Sequence, residues 1–99
     1  DNAKGIALIT KGADAGSAEA QYYLATYYNN SWNDGYNPST ALGWAKKAAE
    51  QNHAAAQYLL ATFYLKGVGT SANKSEAVKW LKKAAENEYS TATEIIQWL

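Results

Sequence analysis

Cysteine and methionine are absent from this 99-residue chain, and proline and histidine each occur once. Without cysteine the chain forms no disulfides and no thiolate metal sites, and we expect no metal or other cofactor. Lysine and arginine together number 9, as do aspartate and glutamate, so the formal net charge is 0. This balance excludes the basic surface that a nucleic acid requires of its protein partner.

Long hydrophobic runs are also missing. The longest apolar stretch, residues 58–65, is interrupted by Thr62 and is far shorter than the roughly 20 residues that span a bilayer. We therefore expect no membrane insertion. The chain is long enough for one small domain, and because its first residue is Asp1 we expect a processed mature form or a segment of a longer protein.

What the chain does contain is a repeat. The sequence ALGWAKKAAE at residues 41–50 recurs 36 positions later as AVKWLKKAAE at residues 77–86. The same offset places residues 20–22, Ala-Gln-Tyr, on an identical triplet at residues 56–58. A fixed period of this length predicts stacked units of two helices each.

Within each unit the apolar spacing predicts helices. Ala20, Leu24, Tyr27 and Tyr28 follow the i, i+4, i+7, i+8 pattern of one helix face. The predicted helices are residues 2–11, 18–30, 38–51, 53–66, 74–87 and 90–99. The expected fold class is therefore all-α, an α-α superhelix of antiparallel helix pairs with a 36-residue repeat.

Short polar residues mark where these helices begin and end. Ser17, Asn37 and Asn73 are of the types that cap helix N-termini. Gly16 and Asn52 stand at equivalent places between helices, and both types tolerate the left-handed conformation that reverses the chain.

The repeat divides this single domain into four parts. Residues 1–16 form the outer helix of a preceding unit, 17–52 and 53–88 form two complete units, and 89–99 form a partial third. Glu88 occupies the third turn position, where a glutamate fits less well, so we expect that turn to differ.

The repeated residues resemble a known family. The second unit shows its pattern most fully, with Ala56-Gln57, Leu60-Ala61, Tyr64, Gly67-Val68, Trp80 and Lys83-Ala84-Ala85. This pattern is similar to the Sel-one-like repeat, a relative of the tetratricopeptide repeat, over essentially the whole chain. Residues 31–37 depart from it because they lack the glycine-valine loop, and we expect selectivity at this exposed edge.

The resemblance implies a function as well as a fold. It implies a TPR-like α-solenoid with the first helix of each pair on the concave side. It also implies a bacterial scaffold or adaptor that binds protein, a surface-interaction factor, or an immunity-type inhibitor of a toxic partner, and not an enzyme. On resemblance alone, a periplasmic or secreted location is favoured over a cytoplasmic one.

Catalytic side chains are scarce. His53 has no cysteine and no second histidine to work with, and it aligns with Ser17 and Tyr89 at the start of an inner helix. We predict a surface or capping position for His53 and no catalytic residues. Trp44 and Trp80 are predicted to pack between units, because each large ring buries much apolar area.

The outer helices carry repeated lysine pairs. Lys46 precedes Glu50, and Lys82 precedes Glu86, by four residues each. This spacing predicts i, i+4 ion pairs on solvated faces.

Beside its core-facing residues each inner helix leaves a second stripe free. The stripe comprises Glu19, Tyr22, Thr26 and Asn29, then Ala55, Tyr58, Thr62 and Lys66, then Glu94 and Trp98. Equivalent helices are expected to lie about 10 Å apart, near the reach of three residues of extended peptide. We predict that a protein or peptide partner binds here with Tyr22 and Tyr58 as anchors. Alternatively, these two rings only cover neighbouring helices.

A second hypothesis assigns the stripe to a carbohydrate. Tyr22, Tyr58 and Trp98 offer flat rings, and Asn29 and Thr62 offer hydrogen-bonding groups, for a cell-wall or exopolysaccharide chain.

The C-terminal residues give a separate expectation. Ile95, Ile96, Trp98 and Leu99 finish an inner helix that has no outer partner in this sequence. Burying each large apolar side chain contributes about 1.5 to 3 kcal/mol. We expect either further repeats or self-association through this helix.

Overall fold

The computed structural model describes residues 2–33, 35–87 and 89–99. Within these ranges the regular structure is entirely helical, with six helices: α1 (Asn2–Asp14), α2 (Ala18–Tyr28), α3 (Pro38–Glu50), α4 (Ala54–Lys66), α5 (Lys74–Glu86) and α6 (Ser90–Ile96). The main helix contacts join consecutive helices, and the chain extends along one axis with dimensions of 42 × 24 × 16 Å. This is the predicted α-solenoid of helix pairs.

The predicted capping residues begin the helices. Ser17 Oγ accepts a hydrogen bond from the Ala20 amide at 3.2 Å, and Asn37 Oδ1 accepts one from the Thr40 amide at 3.2 Å. Asn73 repeats the arrangement of Asn37 with the Glu76 amide at 3.1 Å. Each bond satisfies one of the amides that a helix N-terminus leaves without a partner, so the three predicted caps are confirmed.

The turns between units use left-handed residues where the sequence predicts them. Gly16 has a φ of +104° and Asn52 a φ of +67°. Asparagine is one of the few residues with a side chain that adopts this conformation at low cost. The turn expected to differ at Glu88 lies outside the described residues.

Helix α1 continues to Asp14, one turn beyond the predicted end at Lys11. The extra turn buries Ala13, which is 2% exposed, and its carbonyl accepts a hydrogen bond from Gln21 Nε2 at 3.0 Å. Packing against α2 therefore outweighs the weak helix propensity of Gly12.

Helices α2 and α6 end earlier than predicted. After Tyr28 the chain turns, Asn30 Oδ1 accepts a hydrogen bond from the Trp32 amide at 3.0 Å, and the Asn37 amide donates to Tyr28 O at 2.8 Å. These bonds give the backbone an alternative to a further helical turn. Helix α6 ends at Ile96, not at Leu99.

The core is built mainly from small residues on the outer helices and large ones on the inner helices. The fully buried positions include Leu24, Ala41, Ala45, Ala48, Ala56, Leu60, Phe63, Ala77 and Leu81. The buried residues form two clusters, a larger one that includes Leu60 and Phe63 and a smaller one beneath α6 that includes Leu81 and Ala92. Trp44 packs against the larger cluster, and Trp80 packs against both. The predicted packing role of these tryptophans is confirmed.

The predicted lysine–glutamate pairs do not form. Within the described part of the chain the one salt bridge joins Lys79 Nζ and Glu76 Oε2 at 3.8 Å. The neighbouring lysines contact tryptophan rings: Lys47 Nζ lies 4.9 Å from the ring centroid of Trp44, and Lys83 Nζ lies 5.8 Å from that of Trp80. These are cation–π contacts, and they involve other lysines than the two predicted to form ion pairs.

Candidate functional site

The inner helices carry a repeated aromatic contact. The Tyr22 ring lies 5.2 Å from the His53 ring at an interplanar angle of 33°, and the Tyr58 ring lies 5.1 Å from the Tyr89 ring at 29°. Tyr58 and Tyr89 are the residues 36 positions after Tyr22 and His53. Each tyrosine ring therefore packs against the ring of the residue that precedes the following inner helix, and this contact restricts its orientation.

His53 has two structural contacts at this place. Its Nδ1 accepts a hydrogen bond from the Ala56 amide at 3.1 Å, which caps α4, while its ring supports Tyr22. The predicted capping position is confirmed.

Burial raises the pKa of the Tyr22 phenol above its ordinary value of 10.0, and the nearby phenol of Tyr89 adds to this effect. Desolvation favours the neutral form of a phenol. Tyr22 is therefore a neutral hydrogen-bonding group at physiological pH.

The threonines of the predicted stripe are also repeated. Thr26 Oγ1 donates to Tyr23 O at 2.7 Å, and Thr62 Oγ1 donates to Leu59 O at 2.7 Å. Both bonds remain within one helix, so neither hydroxyl holds two helices together.

The remaining stripe residues differ in exposure. Glu19, Lys66 and Glu94 are exposed, Asn29 is half-buried at the end of α2, and Ala55 is half-buried on α4. The structure thus places Tyr22, Thr26, Tyr58 and Thr62 at matching positions of α2 and α4.

Trp98 does not extend the stripe along a helix as predicted. It lies in the turn after α6, where its amide donates to Ile95 O at 3.0 Å, and its side chain is 86% exposed. Ile95 and Ile96, by contrast, pack against the core cluster beneath α6.

A chain of buried amides was not identified from the sequence, although its two glutamines belong to the repeat pattern. Gln21 Nε2 donates to Ala13 O at 3.0 Å, and Gln57 Nε2 donates to Ala49 O at 3.2 Å. Each glutamine oxygen also accepts a bond from the following turn. Gln21 Oε1 accepts from Gln51 Nε2 at 2.8 Å, and Gln57 Oε1 accepts from Asn87 Nδ2 at 2.9 Å. The signal in the sequence was a polar residue recurring beside the apolar stripe, which indicates a bonded buried group.

A groove between α1 and α2 is a second feature that residue spacing did not identify. It has a volume of about 450 Å³, and the described residues that line it are Gly5, Ile6, Ile9, Tyr23, Thr26, Tyr27, Asn30 and Asn33. Thr26 connects it to the predicted stripe. Asn33 Nδ2 donates to Tyr27 O at 2.9 Å and fixes the loop at one end of the groove. The signal was the departure of residues 31–37 from the repeat pattern.

Large aromatic side chains are exposed near this groove. Trp32 is 92% exposed in the loop between Asn30 and Asn33, and Tyr23 is 49% exposed on α2. Exposed tryptophan and tyrosine are characteristic of binding surfaces.

The described residues offer little else in the way of reactive groups. They contain no cluster of three or more His, Cys, Asp or Glu side chains that would bind a metal ion. None of the described helices is both long enough and apolar enough to cross a membrane.

Comparison with solved structures places this geometry among known solenoids. The chain superposes on a Sel1 repeat protein from Oxalobacter formigenes with a TM-score of 0.93 and 25% identity, covering 100% of this chain and 74% of that one. It also superposes on c5321, a protective antigen of uropathogenic Escherichia coli strains with an SLR fold, with a TM-score of 0.89 and 32% identity. This second match covers 97% of the chain but spans only 21% of c5321.

A third relative shows the fold alone. Cysteine rich protein B of Helicobacter pylori has a TM-score of 0.90 and 22% identity, with 96% of this chain and 71% of that one covered. All three structures come from bacteria. Among the curated proteins none matches the sequence significantly.

The sequence itself matches a family model twice. The model of the Sel1 repeat matches residues 18–53 and again residues 54–89. These two matches span most of the chain and include both tyrosine ring contacts and both buried glutamines. The chain belongs to the Sel1 repeat family.

Proposed function

We propose that this chain is a non-catalytic scaffold that binds a protein or peptide partner on the face formed by α2, α4 and α6. Sel1 repeat proteins are generally scaffolds for protein interactions. The partner-binding residues of this proposal are Glu19, Tyr22, Thr26, Asn29, Tyr58, Thr62, Lys66, Glu94 and Trp98.

The observation that carries the proposal is the repeated ring contact of Tyr22 with His53 and of Tyr58 with Tyr89. Tyr22 and Tyr58 are half-buried, so each presents only part of its ring, and the ring contact restricts its orientation. A rigid aromatic contact loses little conformational entropy when a partner binds. The matching positions of Thr26 and Thr62 supply a second repeated row beside these rings.

The charges on this face favour a peptide over a neutral polymer. Glu19, Lys66 and Glu94 are exposed and carry both signs. Such rim charges select partners by complementarity more than they add affinity. A peptide that carries both positive and negative side chains is complementary to this pattern.

Substitution of Thr62 tests this face without breaking a ring contact. Alanine at Tyr22 and Tyr58 would remove contacts between units, so a loss of binding would not be specific. Thr62→Arg instead adds a long side chain on the face, because the native hydroxyl bonds only within its own helix. Ser75→Arg, on the exposed side of α5, adds the same charge elsewhere and is the matched control.

The binding assay uses a displayed library of random linear 12-residue peptides. We expect enriched peptides to bind the native chain and the Ser75→Arg variant equally, and the Thr62→Arg variant at least about tenfold more weakly. Peptides that bind Thr62→Arg with unchanged affinity and compete with one another would place binding elsewhere and contradict the proposed face.

A further inference from the structure

The groove between α1 and α2 has a counterpart one unit later, between α3 and α4. The residues 36 positions after its lining residues are Ala41, Leu42, Ala45, Leu59, Thr62, Phe63, Lys66 and Gly69. Leu42, Ala45 and Phe63 are at most 8% exposed, whereas Ile6 and Ile9, which line the groove between α1 and α2, are only half-buried. The second groove is closed and the first is open.

The second groove is closed by the loop after α4. Val68 packs against the core cluster that contains Leu42 and Phe63. Gly69 follows with a φ of +72°, and a Cβ atom at this position would lie 2.5 Å from the carbonyl oxygen of Pro38. Only glycine permits so close an approach between this loop and the start of α3.

The first unit has different residues at both of these loop positions. Trp32 stands in the place of Val68 and is 92% exposed, and Asn33 stands in the place of Gly69. Because Asn33 has a Cβ atom, its loop is barred from the approach that Gly69 makes. Its side chain bonds instead to Tyr27 O on α2, and the groove stays open.

The walls of the first groove are also more polar than those of the second. Tyr23 and Tyr27 take the places of Leu59 and Phe63 and add two hydroxyl groups. Asn30, which is polar but uncharged, takes the place of Lys66. None of the eight described residues that line the groove carries a charge, so these residues offer no opposite charge to offset the lost hydration of a charged group.

We propose that the groove between α1 and α2 binds an uncharged segment of the protein partner, with an aliphatic side chain against Ile6 and Ile9 in the manner of Val68. This proposal rests on the proposed function and names the part of the partner that this groove recognises. The volume of about 450 Å³ is within the range of specific binding pockets. The tyrosine hydroxyls and the Asn30 amide then bond to the segment's backbone.

Filling the groove from its floor gives the first test. A Cβ atom at Gly5 meets nothing within 4 Å, so Gly5→Leu projects into the groove without a clash and improves the helix propensity of α1. Gly43 on α3 is equally open but does not line the groove, so Gly43→Leu is the matched control.

The second test closes the groove by giving its loop the residues that close the counterpart groove. Ser31→Gly, Trp32→Val and Asn33→Gly together give the loop of the first unit the Gly-Val-Gly sequence that the second unit has at residues 67–69. Trp32→Ala alone removes the exposed ring and leaves Asn33 in place, which keeps the groove open. Thermal unfolding of each variant checks that the fold is retained.

The probe is the library of random 12-residue peptides used above, and each enriched peptide is titrated against every variant. We expect enriched peptides to share an aliphatic residue with uncharged neighbours. Their affinity should fall at least about tenfold for Gly5→Leu and for the triple variant, and stay within about twofold for Gly43→Leu and Trp32→Ala.

Two outcomes would overturn the inference, and they differ in what they say about the proposed function. If peptides lose affinity with Thr62→Arg but keep it with both groove-filling variants, the scaffold binds peptides on the inner-helix face and the groove has no part in it. If no peptide is enriched, and chitotriose perturbs the NMR signals of Tyr23 and Thr26, the groove binds a neutral glycan and both proposals fail.

Discussion

Replacing Gln57 by leucine tests whether the buried amides hold the units together. The side chain is 1% exposed and lies between the end of α3 and the turn after α5. Its Nε2 donates to Ala49 O at 3.2 Å and to Asn52 Oδ1 at 3.3 Å, and its Oε1 accepts from Asn87 Nδ2 at 2.9 Å. Leucine has a similar volume but forms none of these bonds.

The expected loss follows from these three bonds. Each contributes about 0.5 to 1.5 kcal/mol net, so removing all three costs about 3 kcal/mol. The Ala49 oxygen keeps the Asn52 amide at 3.1 Å and is not left without a partner. Because the leucine is more apolar than the glutamine, burial offsets part of the cost, and we expect a net destabilisation of about 1.5 kcal/mol.

Thermal unfolding followed by circular dichroism measures this loss. For a domain of this size, about 1.5 kcal/mol lowers Tm by about 6 to 12 °C. Gln97→Leu, on an exposed residue after α6, is the control and should change stability by less than about 0.5 kcal/mol. If the two variants unfold at the same temperature as the native chain, the amide bonds add nothing to the contact between units, and the reasoning is refuted.

Three further predictions concern stability and are measured by urea titration. Gly43→Ala should stabilise the chain by about 0.8 kcal/mol because a Cβ atom at this helix position meets nothing. Gly69→Ala should destabilise it by more than about 2 kcal/mol because the φ of Gly69 is +72° and a Cβ atom would clash with Pro38 O. Equal effects of the two substitutions would contradict this. Because burial raises the pKa of Tyr22 above 10.0, the folded chain keeps a proton that the unfolded chain releases, so stability should fall as the pH rises above about 10. Tyr22→Phe should remove that part of the fall, and an unchanged pH profile would argue against it. Trp80→Ala should cost about 2 to 4 kcal/mol because the ring packs against both core clusters, whereas Trp98→Ala, 86% exposed, should cost almost nothing.

The fold was predictable because its determinants are local and occur twice. Asn37 and Asn73 each cap an outer helix through the same bond, and Gly16 and Asn52 each reverse the chain with a positive φ. A residue type and its immediate neighbours are enough to identify these features. The helix ends were less predictable, since the last turn of α1 depends on packing against Gln21.

The candidate site was only partly predictable, because exposure depends on the neighbouring unit. The spacing placed Tyr22 and Tyr58 on a free stripe and left open that they cover neighbouring helices, but it did not identify His53 and Tyr89 as their partners. The groove between α1 and α2 was even less predictable from the sequence. It was recognised only by contrast with its counterpart between α3 and α4, which is closed where Gly69 approaches Pro38, a contact between units that no local pattern identifies.

The two complete units therefore separate stability from recognition. At positions where the units agree, the polar groups are already bonded within the chain, as Gln21 and Gln57 show. These polar groups are therefore not free to bond to a partner, and such positions supply a rigid surface. Where the units differ, the first unit exposes Trp32, whereas the second packs the equivalent residue, Val68, against its core. Because a buried contact serves the fold and an exposed one does not, partner choice should follow the positions at which the units differ.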